Sequence, residues 1–151
     1  MAIWHRPFTI ADVAPLRRNT MVEHLGIELT EIGEDYVRGT MPVDARTRQT
    51  MGLLHGGASV ALSETLGSIA GSMVIDLQKQ SVVGLEINAN HLRAVRSGIV
   101  TGTTRPVNLG HSVQVWQTEI VNETGALVCL SRLTLYVLDR SVKSMSSPSS
   151  R

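Results

Sequence analysis

The sequence predicts a single α+β domain in which one long apolar helix packs against a sheet of six strands. The chain has 151 residues, enough to enclose one hydrophobic core. Residues 53–75 carry one formally charged side chain, Glu64, and an uncharged run of this length is typical of a buried helix. The flanking segments alternate apolar and polar residues or are rich in β-branched residues, which favours strands.

The elements follow in order along the chain. Thr9 and Asp12 indicate a helix start, with helix to about Arg18, and a short turn ends at Gly26. Alternation from Ile27 predicts a hairpin around a turn at residues 33–35, followed by an irregular polar segment. Four more strands are predicted at residues 81–95, 98–107, 112–121 and 126–138. Residues 140–151 are Ser-rich and predicted to be disordered, which leaves 1–139 as the folded domain.

A membrane-spanning helix is the alternative for residues 56–75, whose length suits a bilayer. Glu64 at mid-span disfavours it, because a central carboxylate costs about 2.5–3.5 kcal/mol on insertion scales. A buried helix of a soluble domain is therefore predicted.

Composition excludes several kinds of partner. The formal net charge of +1 offers no field to attract nucleic acid or an anionic membrane, and aromatic residues at 3% are too few for base-stacking platforms. Cys129 is the single cysteine, so no internal disulfide can form, which indicates a reducing compartment. The start of the chain lacks the apolar stretch of a secretory signal. We expect a cytoplasmic protein without nucleic-acid or membrane partners.

The long helix has two predicted faces. The face opposite the sheet holds Glu64 among small residues, including Gly67 and Gly71. Each glycine inside a helix costs roughly 1 kcal/mol relative to alanine. Either a ligand or another backbone approaches these glycines on the Glu64 side, or they pack against a neighbouring strand. The predicted sheet face is formed by Leu62, Leu66, Ile69 and Met73.

Glu64 and His55 are the candidate chemical groups of this run. His55 precedes Gly56 and Gly57, which open the helix. Free N–H groups at a helix start, with the helix dipole behind them, form a site for developing negative charge, so the two groups together are candidates for chemistry. Each group alone is more often structural.

The spacing of Gly56 and Glu64 restricts how they act. They are eight residues apart, or about 12 Å along a helix. One carbonyl cannot lie about 3 Å from both. Either they act from different chains, in an active site shared across a two-fold dimer, or one of the two takes no part.

Four parts of the sequence resemble the hotdog-fold acyl-CoA thioesterases. The nearest branch includes Arthrobacter-type 4-hydroxybenzoyl-CoA thioesterases, phenylacetate-pathway thioesterases and 1,4-dihydroxy-2-naphthoyl-CoA hydrolases. His-Gly-Gly with a glutamate downstream is specific in combination, and the resemblance runs from about Trp4 to Leu138. It is carried by Gln49 and by residues 53–59 (LLHGGAS), 63–68 (SETLGS) and 83–93 (VGLEINANHLR).

The resemblance implies a fold, an assembly and a reaction. It implies a curled six-stranded antiparallel sheet around the helix, and homodimers that pair into a homotetramer. It also implies hydrolysis of an acyl-CoA thioester, most closely an aryl- or hydroxyaryl-CoA, to free acid and CoA. No cofactor is expected, since CoA is part of the substrate. No metal is expected either, because the sequence has no Cys-x-x-Cys and no clustered histidines.

The resemblance also implies residue roles. Glu64 would attack the thioester carbon or activate water, and the Gly56 N–H would polarise the carbonyl. Gln49 and His55 would orient the carbonyl, the water or the leaving thiolate, and Ser68 would bind the water or the acyl group. Residues implied in binding CoA are His91, Arg93, Gly84, Gly110, His111 and Ser112. His91 and Arg93 would share one face of a strand, which alternatively is only a solvated edge.

One departure and two rival functions remain. Thr50 and Met51 follow Gln49 where close relatives often carry Pro-Phe, which leaves the acyl group open. The rival enzyme is a hotdog dehydratase or hydratase acting on acyl thioesters. The rival from another class is a non-catalytic acyl-CoA-binding module, which the set of Gln49, His55 and Glu64 disfavours.

Overall fold

The computed structural model describes residues 1–140 and contains three helices and six strands, joined by short turns. The predicted tail, residues 140–151, lies outside the described residues apart from Arg140. Within the described part of the chain, no helix is long and apolar enough to cross a membrane. The elements are α1 (Ile10–Val13), α2 (Met21–His24), β1 (Glu28–Ile32), β2 (Val37–Pro42), α3 (Gly56–Val74), β3 (Gln80–His91), β4 (Ile99–Leu109), β5 (Val113–Val121) and β6 (Leu127–Asp139).

The six strands form one antiparallel sheet in the order β1-β2-β4-β5-β6-β3. Helix α3 packs against β2, β3, β4, β5 and β6, and the core lies between helix and sheet. Trp116 on β5 is fully buried there, and Trp4 stacks on it with ring centroids 6.5 Å apart. The predicted α+β fold, with one long helix against a six-stranded antiparallel sheet, is confirmed.

The N-terminal helix is shorter than predicted. Its predicted start is confirmed, since the Thr9 backbone N–H and hydroxyl both donate to the Asp12 carboxylate, at 2.8 and 2.7 Å. Helix α1 ends at Val13, and Ala14–Arg17 form a 3₁₀ turn. Pro15 explains the change, because it has no N–H for the next helical hydrogen bond.

Strand β3 is an edge of the sheet and ends four residues before the predicted Val95. The N–H groups of Leu92 and Arg93 both bond to the Val128 carbonyl, at 2.8 and 3.2 Å, instead of continuing the ladder. The prediction that His91 and Arg93 share a strand face is therefore wrong, since Arg93 lies beyond the strand. The free edge of β3 is mostly solvent-exposed and includes Leu85.

The buried face of α3 is rotated from the predicted one towards Gly67 and Gly71. A Cβ built on Gly67 would lie 2.6 Å from a methyl of Leu133, and one on Gly71 would lie 2.4 Å from a methyl of Leu135. The glycines therefore pack against β6, as in the second of the two interpretations. The assignment of Ile69 to the sheet face is wrong, because Ile69 is half-buried and lines a cavity on the opposite side.

Candidate active site

The loop between β2 and α3 fixes the start of the helix. Thr47 is 1% exposed, its hydroxyl donates to the Pro42 carbonyl at 2.7 Å, and its own carbonyl accepts the His55 N–H at 2.8 Å. The Leu54 N–H donates to the Val95 carbonyl at 2.7 Å. These bonds hold both ends of the loop, so its side chains have defined positions relative to α3.

An exposed ion pair closes the first turn of this loop. Arg46 donates to the Asp44 carboxylate from Nη2 at 2.6 Å, and its backbone N–H donates to the same group at 2.9 Å. The side-chain bonds of Arg46, followed by that backbone bond, lower the pKa of Asp44 to about 2. Asp44 therefore stays ionised throughout the neutral range and holds the turn.

His55 caps the helix, and Gly56 is left with a free donor. The Gly57 N–H donates to His55 Nδ1 at 2.8 Å, and the N–H groups of Ala58 and Ser59 donate to the His55 carbonyl at 3.0 and 3.2 Å. Among residues 1–140, no acceptor is found for the Gly56 N–H. Because Nδ1 accepts, a neutral His55 carries its proton on Nε2. Gly56 thus presents an unpaired N–H at the positive end of the helix dipole.

The Gly56 cavity is a hollow of about 340 Å³ whose lining includes Gly56. The side-chain carbonyl of Gln49 accepts the Met51 N–H, which leaves the Gln49 amide group as a donor. A Cβ built on Gly56 would lie 2.7 Å from His91 Nε2, so the imidazole packs directly on the glycine. The cavity is lined by Gln49, Leu53, Leu54, Gly56, Ser59, His91, Leu92, Arg93, Ala94 and Val128.

The Glu64 cavity is a second, larger hollow of about 610 Å³ on the outer side of α3. Glu64 is half-buried, and Ser68 donates its hydroxyl to Glu64 Oε1 at 3.2 Å. The hydroxyls of Thr65 and Ser72 instead bond to carbonyls one helical turn back. Most of the lining residues are apolar. The complete lining is Ile10, Val13, Ala14, Leu16, Arg17, Val22, Ile27, Glu28, Leu29, Glu64, Thr65, Ser68 and Ile69.

The structure places some of the predicted site residues in these two cavities and the others in neither. Within the described chain, the Gly56 and Glu64 cavities have no lining residue in common. Gly84, grouped with the CoA-binding residues by resemblance, lies instead beside Glu64, whose Oε1 would be 3.0 Å from a Cβ at that position. His55 is exposed and lines neither cavity. A single chain thus separates the carboxylate from the free helix-start donor.

Gly110, His111 and Ser112 form the turn between β4 and β5, away from both cavities. This turn lies near the C-terminal end of α3. Gln114, two residues after Ser112, donates its side-chain amide to the Gly71 carbonyl at 3.3 Å. One chain therefore does not bring the turn together with His91 and Arg93.

Several site residues were missed by sequence reasoning. The N-terminal segment supplies Val13, Leu16 and Arg17 to the Glu64 cavity, and β1 supplies Glu28 and Leu29. No motif marks them, and they are distant from Glu64 in sequence. The apolar spacing around α1 was the available signal that this segment covers something.

No group of three or more His, Cys, Asp or Glu side chains within residues 1–140 is placed to hold a metal ion. Cys129 is fully buried in the core, and burial raises the pKa of its thiol. The thiol is therefore neutral and inaccessible, which leaves the carboxylate of Glu64 and the imidazoles of His55 and His91 as the candidate reactive groups.

Comparison with known proteins gives a family match and full-length relatives. Residues 51–129 match the model of the thioesterase superfamily. The chain is 50% identical over 136 residues to a 1,4-dihydroxy-2-naphthoyl-CoA hydrolase of Escherichia coli, covering 90% of this chain and 99% of that protein. It is 49% identical over 136 residues to a proofreading thioesterase, EntH, of Cronobacter turicensis, covering 90% and 98%.

Solved structures share the same architecture. A thioesterase of Haemophilus influenzae superposes with a TM-score of 0.87 at 53% identity, covering 91% of this chain and 95% of that one. A thioesterase of Pseudomonas aeruginosa with one glutamine replaced by alanine superposes with a TM-score of 0.90 at 38% identity, covering 91% and 99%.

Proposed function

The chain belongs to the thioesterase superfamily, and from this premise we propose that it hydrolyses acyl-CoA thioesters, preferentially aryl- or hydroxyaryl-CoA, at active sites shared between two protomers. Thioester hydrolysis itself follows from the family and from relatives at about half identity. The observation that carries the proposal is the separation of Glu64 from the free Gly56 N–H, which one chain keeps in different cavities. Two protomers are needed to bring both to one carbonyl.

The apolar lining of the Glu64 cavity supports a carbon-rich acyl group. Eight of its thirteen lining residues are apolar, and the other five are Arg17, Glu28, Glu64, Thr65 and Ser68. The Escherichia coli relative is named for an aromatic acyl-CoA, whereas the EntH relative of similar identity is named for proofreading. Similarity to these relatives therefore does not identify the acyl group, which a substrate screen would determine.

Glu64 is the proposed reactive carboxylate. It either attacks the thioester carbon and displaces CoA thiolate, giving an anhydride that water cleaves to the free acid and the original carboxylate, or it takes a proton from a water that attacks the same carbon and displaces the thiolate. The Ser68 hydroxyl, 3.2 Å from Oε1, holds the carboxylate in position. The Gly56 N–H stabilises the negative charge that develops on the carbonyl oxygen. A thioester has little resonance stabilisation, so we propose that no metal or redox cofactor takes part.

Gln49, in the Gly56 cavity, and His55, at the start of the helix, are proposed to orient the reacting groups. The Gln49 amide donates to the carbonyl oxygen or to water. His55 fixes the helix start through its bond to Gly57, and its Nε2–H is proposed as a donor to the leaving thiolate. Gln49 thus acts on the substrate, while His55 acts mainly through the helix.

The free edge of β3 supports the proposed dimer. Within each chain, Glu64 lies beside Gly84 and Gly56 lies beside His91, and both partners are on β3. Antiparallel pairing of two β3 edges, about a two-fold axis midway between Gly84 and His91, would exchange these positions. Gly84 of the partner subunit would then lie beside His91, and Glu64 of the partner subunit would approach Gly56. A long exposed edge is also a pairing site that folded proteins normally cover.

The same arrangement supports the proposed CoA site. Arg93 and His91 line the Gly56 cavity as exposed cations or donors, and arginine suits a bidentate phosphate contact. Across the two-fold axis, the turn of Gly110, His111 and Ser112 from the partner subunit would lie at the same end of the continuous sheet. We propose that it contacts the nucleotide end of CoA.

Two further proposals concern assembly and setting. Tyr136 and Val83 are paired across β6 and β3 and are 39% and 43% exposed, which suits pairing of dimers into a tetramer through the outer sheet face. The unpaired thiol of Cys129 suits the reducing cytoplasm.

Replacing Glu64 with glutamine tests the proposal. For the best acyl-CoA found in a screen of aryl, phenylacetyl and fatty acyl-CoAs, Glu64→Gln should lower kcat by about 10²–10⁴-fold with little change in KM. Release of free CoA thiol in a buffer containing EDTA, in which the wild type keeps full turnover, gives the rates. Glu119→Gln, on an exposed position of β5, is the matched control. Wild-type turnover by Glu64→Gln would refute the assignment.

A further inference from the structure

An ion pair separates the Glu64 cavity from a third hollow. This Arg46 pocket has a volume of about 330 Å³ and opens beside β2. Arg17 and Glu28 line both it and the Glu64 cavity. They are the only residues within residues 1–140 that line both hollows, so we treat this pair as the wall where the two spaces meet. The Arg46 pocket is lined by Arg17, Glu23, Gly26, Glu28, Thr40, Pro42, Arg46 and Ile99.

Three contacts hold this wall in place. Arg17 Nη1 lies 3.2 Å from Glu28 Oε1 and donates to the Ile27 carbonyl at 2.9 Å. The Arg17 carbonyl accepts the Thr20 hydroxyl at 2.5 Å, so its backbone is held as well. The Arg17 side chain is 33% exposed, compared with 60% for Glu28. The arginine is therefore the more enclosed member of the pair.

We propose that the Arg17–Glu28 ion pair is the end wall of the acyl-binding cavity and sets the longest acyl chain that the enzyme accepts. The inference rests on the proposed function, since it takes the Glu64 cavity as the acyl site. An apolar chain gains from each methylene that it buries against the leucine, isoleucine and valine lining. A chain that reaches the wall meets the Arg17 side chain, which fills the space and is held there by Glu28 and the Ile27 carbonyl. Acyl groups longer than the cavity are therefore rejected.

Removing the arginine side chain should join the two hollows. Arg17→Ala deletes the part of the wall that separates the Glu64 cavity from the Arg46 pocket, and longer acyl chains can then extend into the added space. One methylene in an apolar site is worth about tenfold or more in discrimination. We expect the ratio of kcat/KM for dodecanoyl-CoA to that for hexanoyl-CoA to rise at least tenfold.

Arg17→Met and Arg18→Ala are the matched controls. Methionine keeps the length of the side chain but loses both the ion pair and the bond to the Ile27 carbonyl. The space therefore stays filled, although the contacts that hold the side chain are lost. We expect a chain-length profile close to that of the wild type. Arg18 is exposed and lines neither hollow, and Arg18→Ala should not alter the profile.

The outcomes distinguish a space-filling role of Arg17 from a role in holding the local structure. They also distinguish failure of the wall from failure of the proposed function. A shift in Arg17→Ala that Arg17→Met lacks supports the wall. Equal shifts in both variants, or no shift in Arg17→Ala, overturn it while leaving acyl-CoA hydrolysis intact. A wild type that hydrolyses no acyl-CoA in the screen overturns the proposed function, and the end wall with it.

Discussion

The two faces of α3 differ in burial although both are poor in charge. The inner face is fully buried against the sheet and includes Leu62, Leu66 and the two glycines. The outer face is half-buried, carries Glu64, Ser68 and Ile69, and borders a cavity. The inner face holds the fold together, whereas the outer face is partly uncovered in one chain and carries the proposed catalytic carboxylate. An apolar helix can therefore pack on one side and border a cavity on the other.

Truncation of Leu66 gives the largest expected effect on stability. Its two methyls pack onto Gly39 and Gly102, which are paired across β2 and β4, and a Cβ at either glycine would lie within 3 Å of them. Two paired glycines form a notch that backbone hydrogen bonds keep open, so Leu66→Ala leaves a cavity that cannot collapse. We expect a loss of about 3–5 kcal/mol in the free energy of unfolding, measured by urea denaturation.

Ile69→Ala is the outer-face counterpart of that change. Ile69 already borders open space, so its truncation enlarges an existing cavity and should cost about 1 kcal/mol. Equal losses for Leu66→Ala and Ile69→Ala would contradict the assignment of inner and outer faces.

The two inner-face glycines should respond differently to alanine. At Gly71, the new methyl would meet Leu135 at 2.4 Å and the Gln114 side-chain oxygen at 2.7 Å, and that oxygen already accepts the Trp116 indole N–H. Because two atoms lie closer than 3 Å, we expect overpacking of about 2–3 kcal/mol, which outweighs a gain of about 1 kcal/mol in helix propensity, so Gly71→Ala should destabilise the protein by about 1–2 kcal/mol.

At Gly67 the close contact is one terminal methyl of Leu133, which can rotate away. Gly67→Ala should therefore change the free energy of unfolding by less than about 0.5 kcal/mol. Thermal or urea unfolding of both variants decides the point. A stabilisation of about 1 kcal/mol by both substitutions would show that neither glycine is required for close packing.

Most of the helices and strands lie where the sequence predicts them, because their positions depend on local signals. The Thr9–Asp12 cap, the turn ending at Gly26 and the helix start at Gly56 lie where predicted. The end of β3 was misplaced because the bonds of Leu92 and Arg93 to Val128 are tertiary contacts that no local pattern encodes.

The site was predicted in part for a similar reason. The eight-residue separation of Gly56 and Glu64 is fixed by helix geometry, so their placement in different cavities could be anticipated. The buried face of α3 could not, because a helix that is apolar nearly all round leaves its orientation to the shapes of the opposing strands. Arg17 and Glu28 were missed since only the folded chain brings them to the Glu64 cavity.

The sharing of active sites across the dimer is tested most directly by mixing two inactive variants, Glu64→Ala and Gln49→Ala. After subunit exchange, each mixed dimer should contain one site with an intact Gln49 from one protomer and an intact Glu64 from the other. Random pairing then restores about a quarter of the wild-type activity, measured as release of CoA thiol. Mixtures that exchange subunits yet remain as inactive as the separate variants would contradict the shared site.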